Sequence, residues 1–202
     1  MSQLVQVDHP VHDLIVARWS PYCFEPRSVE ADKLAACLEA ARWAASSYNE
    51  QPWSFLLARR EETAEFDRMI GCLMEANQVW AKNAGVLLLT VISTTFQKNG
   101  KPNRVALHDL GLAAGNLCLQ ATALGLSVHQ MAGVDLAKAR ETYAIPETHE
   151  PATAIAIGYA ATSGAGFAPA LVERDHAPRT RKPLREFVYH GRWGQAAFGN
   201  KR

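Results

Sequence analysis

The chain has no long run of one charge: lysine and arginine number 21, aspartate and glutamate 20, and the formal net charge is +1. That balance argues against a broad basic footprint for nucleic acid. It also lacks a hydrophobic run long enough to cross a bilayer. The longest, "AGVLLLTVIS" from Ala84 to Ser93, falls well short of the roughly 20 apolar residues a spanning helix needs. The opening "MSQLVQVDHP" has no basic stretch followed by a continuous apolar one, so no secretory signal is read there. Cysteine is sparse, with Cys23, Cys37, Cys72 and Cys118 far apart and no CxxC pair. Cys37 and Cys118 fall inside helical patterns, which points to buried free thiols in a reducing compartment. There is no G-x-x-x-x-G-K-[ST] phosphate loop. "GAGFAP" has Pro169 where a dinucleotide fingerprint needs its third glycine, and no helical pattern is read after it. The expectation is a soluble, cytoplasmic, single-domain protein. Its 202 residues, 48% hydrophobic and 20% charged, suffice to bury a sizeable core.

What is present is an uneven interleaving of helical and strand patterns. "HPVHDLIVA" (9–17) reads as a short helix or turn, and the prolines of "RWSPYCFEPRSV" predict an ordered extended segment. Ser28 is a candidate cap for a helix from Val29, with Glu30 and Asp32 in its first turn and Leu34, Leu38, Ala41 and Ala45 as its stripe. "WSFLLA" reads as a strand, 61–80 as helical, and the uncharged "AGVLLLTVIS" as a fully buried central strand. After the loop Gln97 to Asn103, apolar residues recur from Arg104 at Leu107, Leu110, Ala114, Leu117, Ala121 and Leu124, and Gly125 ends the helix. Its alanine and glycine content predicts packing on most sides, a subunit interface included. "SVHQMAGV" is a strand and turn, "LAKARETYAI" a short helix, and "ATAIAIGYA" a last buried strand. The tail from about residue 165 is too irregular for a core of its own and is expected to lie over another part of the protein or over a partner. Mixed α+β describes this better than a regular βαβ series.

Few residues carry obvious chemistry. His9 and His12 lack a recognised metal spacing and read as a solvated turn; no metal site is expected. His108 and Asp109 are neighbours on a helix and face different ways, which suits a structural or interface role. Polar residues remain in three clusters: Arg18 and Ser20; Ser46, Ser47, Asn49 and Gln51; Arg179 and Arg181. Forked guanidiniums suit a phosphate, while hydroxyls and amides suit a polyol chain and a heteroaromatic edge.

In this order the clusters resemble the FMN-dependent nitroreductase family. The resemblance rests on "ARWSPYCFEP", "LEAARWAASSYNEQPWSFLLA", "DLGLAAGNLCLQATALGL", "AIAIGYA" and "RKPLREFV", collinear from Arg18 to Val188. It implies a nitroreductase-like fold: a mainly antiparallel sheet flanked by helices, a long central dimer helix, and a C-terminal extension embracing the partner. It implies FMN at the interface of a homodimer, with Arg18, Trp19, Ser20 and Tyr22 beside it and Arg179 and Arg181 on its phosphate. Ser46, Ser47, Asn49 and, as loop support, Gln51 would approach from the other subunit. Asn77 and the backbone of Met131, Ala132 and Gly133 would face the isoalloxazine. Tyr22 stands where the family usually has a basic residue, and Ala45 where it often has proline. The implied activity is two-electron transfer from NAD(P)H to nitroaromatics, quinones or a similar small acceptor, with no obligatory catalytic side chain. Reduction of activated alkenes or another metabolite, and a non-enzymatic flavin-binding homodimer, are the alternatives.

Overall fold

The uncharged run in mid-chain becomes the strand on which the rest is assembled. The computed structural model describes residues 7–199. Its elements are α1 (Asp13–Ala17), α2 (Ala31–Arg42), β1 (Trp53–Arg59), α3 (Thr63–Ile70), α4 (Glu75–Ala81), β2 (Val86–Ser93), α5 (Ala106–Ala123), β3 (Ser127–Met131), α6 (Leu136–Thr142), β4 (His149–Gly158) and α7 (Pro169–His176). The four strands form one antiparallel sheet in the order β1-β2-β4-β3. β2 is central and buried along nearly its whole length because both faces are covered.

Alternation along β2 divides the core in two. Val86 and Leu88 face α2 and α5, joining Leu34, Cys37, Leu117 and Ala121. Leu87, Leu89 and Val91 face the other way, against Phe66, Met69, Trp80 and Ala139 from α3, α4 and α6. Thr90, fully buried, is satisfied by Thr153 of β4, whose carbonyl accepts from its hydroxyl at 2.9 Å. Gly125, at φ +75°, closes α5: its own N–H donates to the Thr122 carbonyl and that of Leu126 to the Ala121 carbonyl.

The mixed α+β class, the strands and the long helix follow the sequence reading; several details differ. Ser28 does not cap α2, which begins at Ala31, because its hydroxyl donates to Glu61 instead at 2.9 Å. The α2 stripe ends at Ala41; Ala45 lies beyond the helix and is exposed, and Ala44 is buried in its stead. The 61–80 pattern splits into two helices, since Leu73 bridges to Val134 and Met74 N–H donates to the Gly133 carbonyl at 3.0 Å. Leu107 is 62% exposed rather than part of the α5 core stripe. A helix does follow "GAGFAP": α7 opens on Pro169, whose missing N–H costs nothing in a first turn. α7 buries no residue, and contacts from Asp175 and Arg179 hold it and the segment after it on the chain's own N-terminal portion.

Candidate functional site

Beside α5 lies a cavity of about 470 Å³, a size suited to a small-molecule ligand, lined by Arg18, Ser20, Gly115, Asn116, Val128 and Gln130 among others. Its shape comes from what α5 omits: an added Cβ at Gly111 or Gly115 would meet nothing of this chain within 4 Å. Arg18 and Ser20 sit two apart in an extended segment, so their side chains share a face, and Arg18 Nη1 donates to Ser20 Oγ at 3.3 Å. Trp19, between them, turns away and lines a second cavity of about 850 Å³, with Val16, Cys23, Val172, Asp175 and Arg179. Burial first, and Asp175 second, push the Cys23 thiol up to about 12, so it is no nucleophile at neutral pH.

Arg18 lines the first cavity, and Arg179, on the wall of the second, lies close enough to Arg18 and Arg181 to feel both charges. Arg179 is held below the usual guanidinium range by its burial first, then by the positive charges of Arg18 and Arg181. Its fork is spent on backbone, donating to the Val16 carbonyl at 2.9 Å and the Arg18 carbonyl at 2.7 Å. Arg181 is exposed and makes a local bond to the Thr180 carbonyl.

One to three residues beyond Gln130, β3 ends in a tight corner. Asn77 Nδ2 donates to the Gly133 carbonyl at 3.0 Å, and Val134 N–H to the Ala132 carbonyl at 2.9 Å. A Cβ on Gly133 would stand 2.5 Å from Asn77 Nδ2, so any larger residue would displace that amide. The Met131 side chain is buried in the core, which leaves only its backbone available at the corner, while Ala132 is exposed.

Aromatic packing backs this wall. Tyr22 is half-buried with its ring edge-on to Trp80 and His129, at centroid distances of 5.4 and 4.7 Å, so the ring faces inward. His129 Nδ1 lies 2.9 Å from the Pro21 carbonyl, and burial lowers its pKa, fixing a neutral ring that donates from Nδ1. Trp80 is fully buried, and its indole N–H finds no acceptor among the described residues.

The third cluster stands apart. Ser47 N–H donates to buried Asp109 at 3.0 Å, Gln51 N–H to Ser46 Oγ at 3.0 Å, and Gln51 Nε2 to the Asn49 carbonyl at 3.1 Å. Tyr48, Asn49 and Gln51 adopt φ of 55°, 56° and 51°, which is uncommon for such residues. None of Ser46, Ser47, Asn49 or Gln51 lines the cavity in its own protomer. The structure thus pairs Arg18 with Ser20 at the first cavity, sets Arg179 behind them with Arg181 near it, forms a separate Asn77–Gly133 corner, and leaves the serine loop outside. Asn116, Gln130 and Asp175 were not foreseen. Asn116 and Gln130 lie inside regular elements where only the face could betray them, and Asp175 lies in a tail without a pattern. Asp109 has the structural role its helical position suggested. Among the described residues no helix is long and apolar enough to cross a membrane, and no group of three acids, histidines or cysteines is disposed to hold a metal.

Comparison with known proteins gives one family and a consistent set of folds. The Nitroreductase family profile matches residues 15–159. A crystal structure described as an oxidoreductase containing FMN superposes with a TM-score of 0.87 at 33% identity, covering 94% of this chain and 96% of its own. A nitroreductase family protein from Clostridium difficile 630 shares the fold at a TM-score of 0.69 and 24% identity, over 89% of this chain and 97% of its own. An uncharacterized 15.4 kDa protein of Mycolicibacterium smegmatis is 30% identical over 129 residues, 64% of this chain and 84% of that one.

Proposed function

We propose that this chain, which belongs to the nitroreductase family, is an FMN-dependent oxidoreductase that takes electrons from NAD(P)H and delivers them in pairs to a nitroaromatic, a quinone or a similar small acceptor. The observation that carries the reading is a cavity of about 470 Å³ beside the glycines of α5, with the Arg18 guanidinium and the Ser20 hydroxyl paired on its wall. Arg179, partly buried and beside the positive charges of Arg18 and Arg181, adds to a local excess of positive charge that an anion such as a phosphate monoester relieves. The likeness to an oxidoreductase containing FMN supports the same assignment.

The residues fit FMN as a set. Arg18, Ser20 and Arg181 would hold the phosphate and ribityl chain, while Val128 and Gln130 would form a floor for the ring system. The backbone of Ala132 and Gly133 would border its reacting edge, with Met131 contributing backbone alone and the Asn77 amide fixed beside them. FMN, when bound, supplies the two-electron chemistry. The protein's own work is orientation and exclusion of water, and none of these side chains is needed as an obligatory acid or base.

The same reading makes the functional unit a homodimer of single-domain chains (1–202). The serine loop lies outside its own protomer's cavity, so Ser46, Ser47, Asn49 and Gln51 would serve the site of a second copy. The exposed Leu107 and Leu112 beside Gly111 and Gly115 suit such a contact. The extension beyond Arg179 is the portion free to reach the partner, and four buried free cysteines suit the cytoplasm.

The test is anaerobic. Purified protein should be yellow, bleach with NADH or NADPH, and regain its colour on addition of a quinone or nitroaromatic. A colourless protein that cannot be reconstituted with FMN overturns the proposal. Bound flavin that no nicotinamide reduces would leave a flavin-binding homodimer, and reoxidation by activated alkenes alone would move the acceptor class.

A further inference from the structure

Residues 18–23 run in extended form with no strand alongside them until Phe24 bridges to Ala160. The Pro21 carbonyl meets His129 and the Cys23 carbonyl accepts from Ala161 N–H; for other backbone groups of the segment, two side chains of the C-terminal extension serve. Asp175 accepts from Tyr22 N–H at 2.7 Å and Cys23 N–H at 2.9 Å, one carboxylate oxygen to each. Arg179 donates through its two terminal nitrogens to the Val16 and Arg18 carbonyls. The Val16 carbonyl lies in the last turn of α1, where helical partners run out. Arg174 adds its guanidinium over the Tyr22 ring, 5.3 Å from the centroid. α7 has no fully buried residue and packs on the core only through half-buried Leu171, so these polar contacts help to fix where it sits.

We propose that Asp175 and Arg179 are positioning residues: together they clasp the backbone of residues 16–23 and thereby set the geometry of Arg18 and Ser20 at the cavity. The proposal rests on the FMN reading only for its functional consequence. It reassigns Arg179, whose forked donors are engaged with two carbonyls, from phosphate ligand to clasp. Arg18 and Arg181 remain as the cations for the anion. The geometry also explains the arginine: a lysine keeps the charge but cannot span two carbonyls with a planar fork.

The clasp can be tested without cofactor, because Arg179 holds the carbonyl of the Arg18–Trp19 bond, which trypsin would cut. In apoprotein, Asp175→Asn and Arg179→Gln should speed cleavage there by about 10- to 100-fold, since charge-assisted bonds restraining local opening are lost. Cleavage at Lys98–Asn99, in an exposed loop, serves as the internal reference and should not change. Unchanged cleavage at Arg18 in both variants overturns the clasp. Should either variant open Lys98–Asn99 as well, global unfolding is the cause, and Arg179→Lys decides by the same two bonds. The second readout is release of FMN from reconstituted protein. Arg179→Lys should release it as fast as Arg179→Gln does. Wild-type retention in the lysine variant with loss in the glutamine variant would make Arg179 a direct charge ligand and overturn the proposal. A wild-type protein that binds no FMN would sink the functional reading and leave the tryptic result standing.

Discussion

At the Asn77–Gly133 corner, every contact comes from elements that also pack the core: Asn77 is on α4, three residues before fully buried Trp80, and Gly133 follows the buried end of β3. Residues 18–23 are held unevenly: Tyr22 and Cys23 pack on the core, whereas the Arg18 end depends on Arg179, a side chain more than 150 positions away in the sequence. The corner should therefore yield only when the domain unfolds, whereas the Arg18 end of the segment can open by itself. Reaction geometry that must not drift is tied to the core, and the end expected to admit and release an anion is tied down from the surface.

The largest effects are expected on the core side. Trp80→Ala should cost about 3–5 kcal/mol, because a fully buried ring between Tyr22, Phe24 and His129 is lost. Urea unfolding measures it, and a loss below about 1 kcal/mol would mean the wall relaxes and is not rigid. Gly133→Ala should cost about 1–3 kcal/mol through its clash with Asn77. Its sharper signature is selectivity: cofactor retention should fall while tryptic cleavage at Arg18 stays unchanged, and a rise at Arg18 would join the two ends into one unit.

The smallest expected effect is that of pH. Burial lowers the pKa of His129 from its ordinary 6.5, outweighing the raising effects of the Pro21 carbonyl and Asp175. The unfolded chain then binds more protons as pH drops, so this contribution is complete above about 6.5 and is lost as pH falls towards the folded value. His129→Gln should flatten the fall in urea midpoint between pH 7.5 and pH 5. Equal slopes in both proteins would remove His129 as the source.

Much of the architecture could be read from the sequence because hydrophobic period and burial coincide there. β2 has no charge, β4 alternates little, and α5 keeps its three-four spacing at Leu110, Ala114, Leu117 and Ala121. Arg18, Ser20 and the late arginines were legible by residue type; the structure pairs Arg18 with Ser20 at one cavity and engages Arg179 with backbone carbonyls. What stayed hidden depends on contacts between distant segments. Ser28 meets the local rule for a cap, yet Glu61, 33 residues on, offers its hydroxyl a charged acceptor. Trp19 carries no mark in the sequence to say which face of the extended segment it occupies. Asp175 sits in a tail with no period to flag it.

One feature of α5 bears on thermodynamics beyond the site. Gly111 and Gly115 have ordinary helical backbone and open space around them, so nothing in their own chain requires glycine. Each costs an isolated helix about 1 kcal/mol relative to alanine. A lone protomer would gain from replacing both, whereas association through this face would couple folding to mass action. Stability would then rise with protein concentration, and dilution would act on this chain as a denaturant does.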